Sequence, residues 1–232
     1  MSNAAGCRDV LVSRGAYRMG ARAAYSIIEV TSPTGPCDRS VIEKLTTEFT
    51  RQIGNLDSLA GDHRIRSYRR LFWSMKVDPT KTRPSHEALA RRLLRSGRMP
   101  TVNCLVDVAN AVSLRTLVSI GLYDLGKLQL PVVIEAAGEE AYFNPIGGGS
   151  KPVAPGLIVA RDAAGRIIHL YAHRDSRDTM VTDGTRRVLA VAYGTPEVGE
   201  DYLADALRLL ERSLREAGIL ESSTEPCRAG TV

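Results

Sequence analysis

The chain has 232 residues, 44% hydrophobic and 25% charged, with a net charge of +5. That length allows one sizeable core, and the charged fraction is ordinary for a globular protein. No apolar run approaches the roughly 18 residues a spanning helix needs, and the first residues lack a basic start followed by an apolar run, so neither a membrane segment nor a secretory signal is expected.

Residues 1–23 are rich in Gly, Ala and Arg without clean periodicity and read as a loose lead-in. Ala24–Val30 reads as a first strand, closed by Thr31-Ser32-Pro33-Thr34-Gly35-Pro36. A helix opening at Asp38 or Ser40 runs to about Ile53, with Val41, Leu45 and Phe49 on its apolar face. Residues 64–75 form a basic helix whose apolar side is Tyr68, Leu71 and Phe72. Asp78–Pro84 is irregular, because each proline restricts its predecessor to extended geometry. Ser85 is a good N-cap, Glu87 sits in the first turn, and a helix over about 86–96 stops at Gly97.

Residues 102–114 fit two patterns. Val102, Leu105, Val106, Ala109 and Val112 mark a helix stripe, whereas Val102, Cys104, Val106 and Val108 alternate as in a strand; length selects the helix. In a helix, Asn103, Asp107 and Asn110 share one polar face. After Asp124 the pattern turns to strands, over 131–136, 140–146, 156–161, 166–173 and 188–193. A last helix starts near Glu200, with Leu203, Leu207, Leu210 and Leu214 inward, and Gly218 ends it; residues 221–232 read as a flexible tail. Helices first and strands later, without βαβ alternation, argue an α+β fold with a single domain over 24–220.

The four cysteines, Cys7, Cys37, Cys104 and Cys227, form no C-x-x-C pair and imply neither a zinc site nor a disulfide framework. A reduced cytoplasm is the expected compartment. From Arg64 to Arg98 eleven Lys or Arg stand against Asp78 and Glu87, a local +9 that leaves the rest of the chain at −4. Such a block is either a solvated helix face or a contact for phosphates.

Several groups could carry chemistry. The amides and carboxylate of Asn103, Asp107 and Asn110 can bind amines, hydroxyls or a ribose if other polar groups converge on them. His169 and His173, four apart, share a face, but a metal site needs a third ligand that the spacing does not supply. Ser176 has His and Asp neighbours without a nucleophile-elbow motif, so the hydroxyls around it bond a substrate or hold a turn. Gly147-Gly148-Gly149-Ser150-Lys151 lacks the phosphate-loop pattern and a following helix, and reads as a loop.

Read together, Tyr68-Arg-Arg-Leu-Phe-Trp, Asp78-Pro-Thr-Lys, Arg83-Pro-Ser-x-Glu-Ala-Leu-x-Arg-Arg, Leu-Val-Asp107-Val-x-Asn110-x-Val-Ser-Leu and Gly121-Leu-Tyr-Asp124 resemble the free-standing B3/B4 proteins. These in turn resemble the editing domain of the phenylalanyl-tRNA synthetase beta chain. Gly138-Glu139-Glu140, Gly156–Asp162 and Arg174-Asp175-Ser176…Thr179…Thr182-x-x-Thr185 extend the likeness over roughly residues 60–195.

The resemblance implies a β-sandwich of unusual topology with packed helices, and hydrolysis of the ester of mischarged aminoacyl-tRNA without cofactor or metal. The partners implied are a tRNA and an amino acid, with no membrane. Asn103, Asp107 and Asn110 become the catalytic candidates, with Asp107 or Glu139 for the substrate amine. Arg83, Ser85, Arg174, Ser176, Thr179 and Thr182 complete the substrate pocket, along with Gly121, Tyr123 and Asp124. The basic block offers Arg64, Arg66, Arg69 and Arg70, then Lys76, Lys81, Arg91 and Arg95, to RNA phosphates. Two departures stand out. Gly121 occupies the place of a His in the synthetase domain, which removes tyrosine wrongly attached to its tRNA, and Arg177-Asp178 stand where that domain has a Glu that helps recognise the tyrosine hydroxyl. The alternatives are a tRNA- or amino-acid-binding module without turnover, or a biosynthetic enzyme that draws on aminoacyl-tRNA.

Overall fold

A computed structural model describes residues 7–232. In chain order the elements are β1 (Val10–Val12), α1 (Arg14–Met19), β2 (Arg22–Val30), α2 (Ser40–Ile53), α3 (Leu56–Gly61), α4 (His63–Ser74), α5 (Ser85–Ser96), α6 (Cys104–Thr116) and β3 (Ser119–Asp124). There follow β4 (Val132–Ala136), β5 (Ala141–Phe143), β6 (Lys151–Val153), β7 (Ile158–Arg161), β8 (Ile167–Leu170), β9 (Arg174–Asp175), β10 (Arg187–Gly194), α7 (Glu200–Glu216), β11 (Leu220–Ser223), β12 (Cys227–Arg228) and β13 (Gly230–Thr231).

One large sheet has the order β13-β1-β4-β7-β8-β9 and the other the order β11-β2-β10-β3, with β12 also on β2, while β5 and β6 form a separate antiparallel pair. β1 runs parallel to both its neighbours, while the remaining ladders of the two sheets are antiparallel. β10 is buried from Val188 to Gly194, as an uninterrupted apolar run predicts for a strand covered on both faces. It aligns Val188 on both Ile28 and Asp124.

Val12, Ile134, Ile158 and Ile168 of the first sheet join Ala24, Ile28, Leu122 and Val191 of the second in one core. α7 closes that core with Leu203, Leu207, Leu210 and Leu214, the expected 3.6-residue stripe. A second cluster, of Phe49, Ile53, Leu59, Ile65, Ala90, Leu114 and Leu117, joins α2 to α6. The architecture is α+β, and among the described residues no helix is long and apolar enough to cross a membrane.

Several expectations need correction. The lead-in is not loose where the structure describes it: β1 and α1 are ordered, and Ser13 caps α1 by accepting from Ala16 N. Residues 1–6 of that lead-in lie outside the described residues. The tail is not loose either, because β11 and β12 pair with β2 and β13 pairs with β1. Short polar strands such as Cys227–Arg228 carry no period of their own and form only where an open edge accepts them. β3 escapes pattern reading because Gly121 interrupts it.

Ser85 is not an N-cap. Pro84 takes that position, and Ser85 opens the helix with its hydroxyl against Ser119 Oγ at 2.7 Å. Gly97 ends α5 as expected, left-handed at φ +66°, with its N–H on the Leu93 carbonyl.

The cysteine expectation is also overturned. Cys7 bonds Cys227 and Cys37 bonds Cys104, with Cα separations of 5.5 and 5.8 Å, and among the described residues no cysteine is free. The partners lie 220 and 67 residues apart, so no local spacing could reveal them. Disulfides persist in oxidising compartments and are rare in the cytosol, so the premise of a reduced compartment is removed.

Candidate functional site

The segment leading into α5 is stitched to the turn between β8 and β9. Ser85 N donates to the Ala172 carbonyl at 2.8 Å, and His173 Nδ1 donates to the Arg83 carbonyl at 3.0 Å. Ser119 Oγ, at the start of β3, meets the Ala172 carbonyl and His86 Nδ1, each at 3.0 Å. Burial pulls the His86 imidazole down to about 3, so it is a neutral core residue.

Where these segments meet α6, Lys81, Arg83, Ser85, Ala88, Leu89, Arg92, Asn110, His173 and Arg174 enclose a cavity of about 480 Å³. His173 and Arg174 also wall a smaller, more apolar one of about 180 Å³, with Phe143, Pro145, Val153, Leu157 and Leu170 among its lining. A cationic bowl and an apolar slot thus share a wall.

His173 is held below the ordinary imidazole value, chiefly by burial and further by the neighbouring Arg174 charge, against the raising effect of the Arg83 carbonyl. With Nδ1 donating to that carbonyl, the neutral ring keeps Nε2 as an acceptor. His173 lines the candidate site, and sequence reasoning missed it. Its pairing with His169 was the available signal, but the shared face does not form, because the strand ends at Leu170 and Ala172 turns left-handed at φ +52°. His169 lies in the core instead, with Nδ1 2.8 Å from Asp175 Oδ1 and its ring stacked on Tyr193.

Of the expected polar face of α6, only Asn110 lines the cavity. Asn103 caps the helix, its Oδ1 accepting from Val106 N at 3.0 Å. Asp107 is buried and accepts from Val102 N and Arg39 Nη2 at 2.8 and 2.9 Å.

The other candidates are scattered. Ser176 holds a turn, its Oγ donating to the Asn144 carbonyl and accepting from Asp178 N. Asp124 accepts from Thr185 Oγ1, whose oxygen also takes the Thr182 N–H. Thr179 is buried, its carbonyl taking the Asp124 N–H. Glu139 is exposed between β4 and β5 and does not line the cationic cavity. Gly147–Ser150 connects β5 to β6, and among the described residues no group of three or more His, Cys, Asp or Glu could hold a metal ion.

Gly121 faces Tyr123. A Cβ there would lie 2.7 Å from Tyr123 Cζ and closer still to its hydroxyl. That hydroxyl is 2.8 Å from Tyr193 Oη, and burial drives both phenols well above their ordinary values, so both stay protonated. The space that a side chain at 121 would need is therefore filled by the chain's own phenol. Gly121→His is expected to cost about 1–3 kcal/mol through overpacking, read as a lowered urea midpoint. A midpoint equal to wild type would contradict this account.

The basic block divides into buried and exposed halves. Arg64 is an internal strut, donating to Asp62, Tyr202 Oη and the Thr116 carbonyl. Arg69 and Arg91 both donate to the fully buried Glu87, Arg69 Nη2 at 2.5 Å and Arg91 Nε at 2.9 Å from Oε1. Burial pushes the Glu87 carboxyl up, but these hydrogen bonds and charges outweigh it and hold the group below its ordinary value. Arg66, Arg70, Lys76, Lys81, Arg92 and Arg95 are exposed, Arg70 in an ion pair with Glu197. Arg83, Arg91, Arg92 and Arg95 line a further depression along α5, continuous with the cationic cavity through Arg83 and Arg92.

No curated protein is similar enough in sequence to match this chain. Among solved structures, an N-terminal fragment of the phenylalanyl-tRNA synthetase beta-subunit from Pyrococcus horikoshii superposes with a TM-score of 0.53 at 14% identity. The superposition covers 96% of this chain and 51% of that fragment, so the chain spans about half its length, and at that identity the likeness is one of fold. The sequence profile of the B3/4 domain matches residues 67–215. That span holds α5, α6 and every residue lining the cationic cavity, and on that match the chain belongs to the B3/4 domain family.

Proposed function

We propose that the cationic cavity takes the aminoacyl end of a charged tRNA and hydrolyses its ester. The observation that carries this reading is the convergence of Asn110, Ser85, Arg83, His173 and Arg174 in one cavity that opens onto the α5 arginines. In this reading the acyl side chain enters the apolar slot beside Leu157 and Leu170, and the terminal phosphates meet Lys81 and Arg92. Asn110 and Ser85 orient the ester, while Arg83 and Arg174 face the oxyanion as it develops.

Water adds to the ester carbonyl carbon, and His173 Nε2 accepts its proton. As the bond to the terminal ribose oxygen breaks, the proton passes to that oxygen and frees the tRNA hydroxyl. An aminoacyl ester is already activated, so no protein nucleophile is required. Among the described residues no carboxylate lines the cavity, and Asp107 is committed to Arg39, which leaves amine recognition outside the roles assigned here.

Asn110→Ala is expected to lower ester turnover by about 10²–10³-fold, the usual cost of one such donor, with little change in melting temperature. The measurement is release of free amino acid from a panel of correctly and wrongly charged tRNAs. Wild-type turnover in the variant would remove Asn110 from the site.

The filled position at Gly121 favours a second reading, in which the domain binds charged tRNA without turning it over. Salt-dependent tRNA binding with no turnover across the panel would select it. Both readings place the protein where charged tRNA is found, a reducing setting, so the thiol state of the four cysteines in the native protein bears directly on both.

A further inference from the structure

α4 turns one face outward that combines arginines with an exposed aromatic ring. At 100° per residue, Arg66, Arg69, Arg70 and Trp73 fall within an arc of about 100°, opposite the buried Tyr68, Leu71 and Phe72. Trp73 is the only tryptophan of the chain and is 56% exposed. Lys76 follows at the end of the helix and is exposed as well. A lone apolar side chain on a surface is ordinary. An exposed indole one turn beyond two arginines is not a neutral patch, and although Arg70 pairs with Glu197 the face suits a polyanion that also presents flat rings.

The face adjoins the cationic cavity. Glu87 Oε1 lies 2.5 Å from Arg69 Nη2 on α4 and 3.9 Å from Arg83 Nε on the cavity wall, so a single carboxylate separates the two.

We propose that Trp73, one turn beyond Arg70 on the same helix face, is a stacking platform for an unpaired RNA base while the arginines of that face hold the phosphates along the strand. Bases in a duplex already stack on one another, so a free ring face is offered only by single-stranded nucleotides. An aminoacyl group is carried on just such an unpaired end. The inference rests on the tRNA reading of the cavity and adds to it the element that meets the strand before its terminal ester.

The test uses the full chain and two tRNA transcripts, one with its unpaired 3′ nucleotides and one trimmed flush to the stem. Trp73 alone reports by intrinsic tryptophan fluorescence, and a mobility shift measures binding independently. The untrimmed transcript is expected to quench the emission, and the trimmed one to bind more weakly with no quench. Trp73→Ala should weaken binding of the untrimmed transcript by about 5- to 150-fold, and Trp73→Phe by no more than about threefold, because every aromatic ring stacks.

Arg66→Gln with Arg70→Gln is expected to flatten the salt dependence by about 0.7 in log–log slope for each phosphate no longer neutralised. A normal mobility shift with unchanged emission, or with Trp73→Ala binding as wild type, would overturn the platform and leave the cavity reading standing. Equal quenching by the trimmed transcript would overturn its assignment to the unpaired end. No mobility shift with either transcript would overturn the tRNA reading and this inference together.

Discussion

Replacing Cys7 and Cys227 together by Ser is expected to destabilise the fold by about 5 kcal/mol. The bridge closes nearly the whole chain, its cysteines lying 220 residues apart. In the chain-entropy account a loop of about 100 residues is worth about 4.7 kcal/mol, and the value grows slowly with length. A domain of this size is stable by only about 5–15 kcal/mol, so the loss is a large share of the total.

The structural reason is local as well. β12 is only Cys227–Arg228 and β13 only Gly230–Thr231, so few ladder bonds hold this end of the chain to β2 and β1. Without the covalent tie both are expected to fray and expose the edges they cover. Urea unfolding of wild type and the double variant, each without reductant, measures the difference, and a thiol count on native protein checks the pairing. A stability difference below about 1 kcal/mol would mean that strand pairing alone holds the tail. The corresponding loss for Cys37 and Cys104 is smaller, because that loop spans 67 residues.

Glu87→Ala is expected to cost about 3–5 kcal/mol, the usual penalty for removing one partner of a buried ion pair. The carboxylate has no exposed surface and takes Arg69 through Nε and Nη2 and Arg91 through Nε, with Arg83 at 3.9 Å. Its loss leaves three guanidinium groups gathered around an empty position. Glu87→Gln keeps the shape and part of the hydrogen bonding, and should fall between wild type and Ala.

The pH dependence has a definite sign. The folded carboxyl titrates below its ordinary value of 4.5, so its contribution is fully present above about that pH and fades as pH falls through the lower folded value. The stability gap between wild type and Glu87→Gln should therefore narrow in acid. A gap that stays constant from pH 7 down to about 3 would show that Glu87 acts through shape alone. Because Arg83 lines the cavity, Glu87→Ala should also reduce ester turnover, which a simple packing defect elsewhere would leave unchanged.

How much of this was legible in the sequence differs from element to element. α2, α5 and α7 follow from apolar spacing and from Gly97, since a helix that packs on a core must repeat its apolar residues every three or four positions. β10 follows from an unbroken apolar run. The family resemblance likewise rests on ordered residues that can be read directly, and the match over 67–215 agrees with it.

The candidate site was less legible, because spacing fixes which residues share a helix face but not what that face meets. Asn103, Asp107 and Asn110 have the spacing of a single site, yet only Asn110 reaches the cavity, while Asn103 caps α6 and Asp107 answers Arg39. Arg64 and Arg66 are two residues and about 200° apart on α4, which makes one a buried strut and leaves the other in solvent. His173 joins the site through a turn that breaks the strand pattern its spacing suggested.

By itself, then, the sequence determined the longer helices, the central strand, the basic block and the family, all of which are local periodicities or ordered motifs. Tertiary structure alone decided the cysteine pairs, the docking of the tail, the division of the arginines and the membership of the cavity. Each of these depends on which distant segments come together, and pairing at a distance leaves no period in the chain.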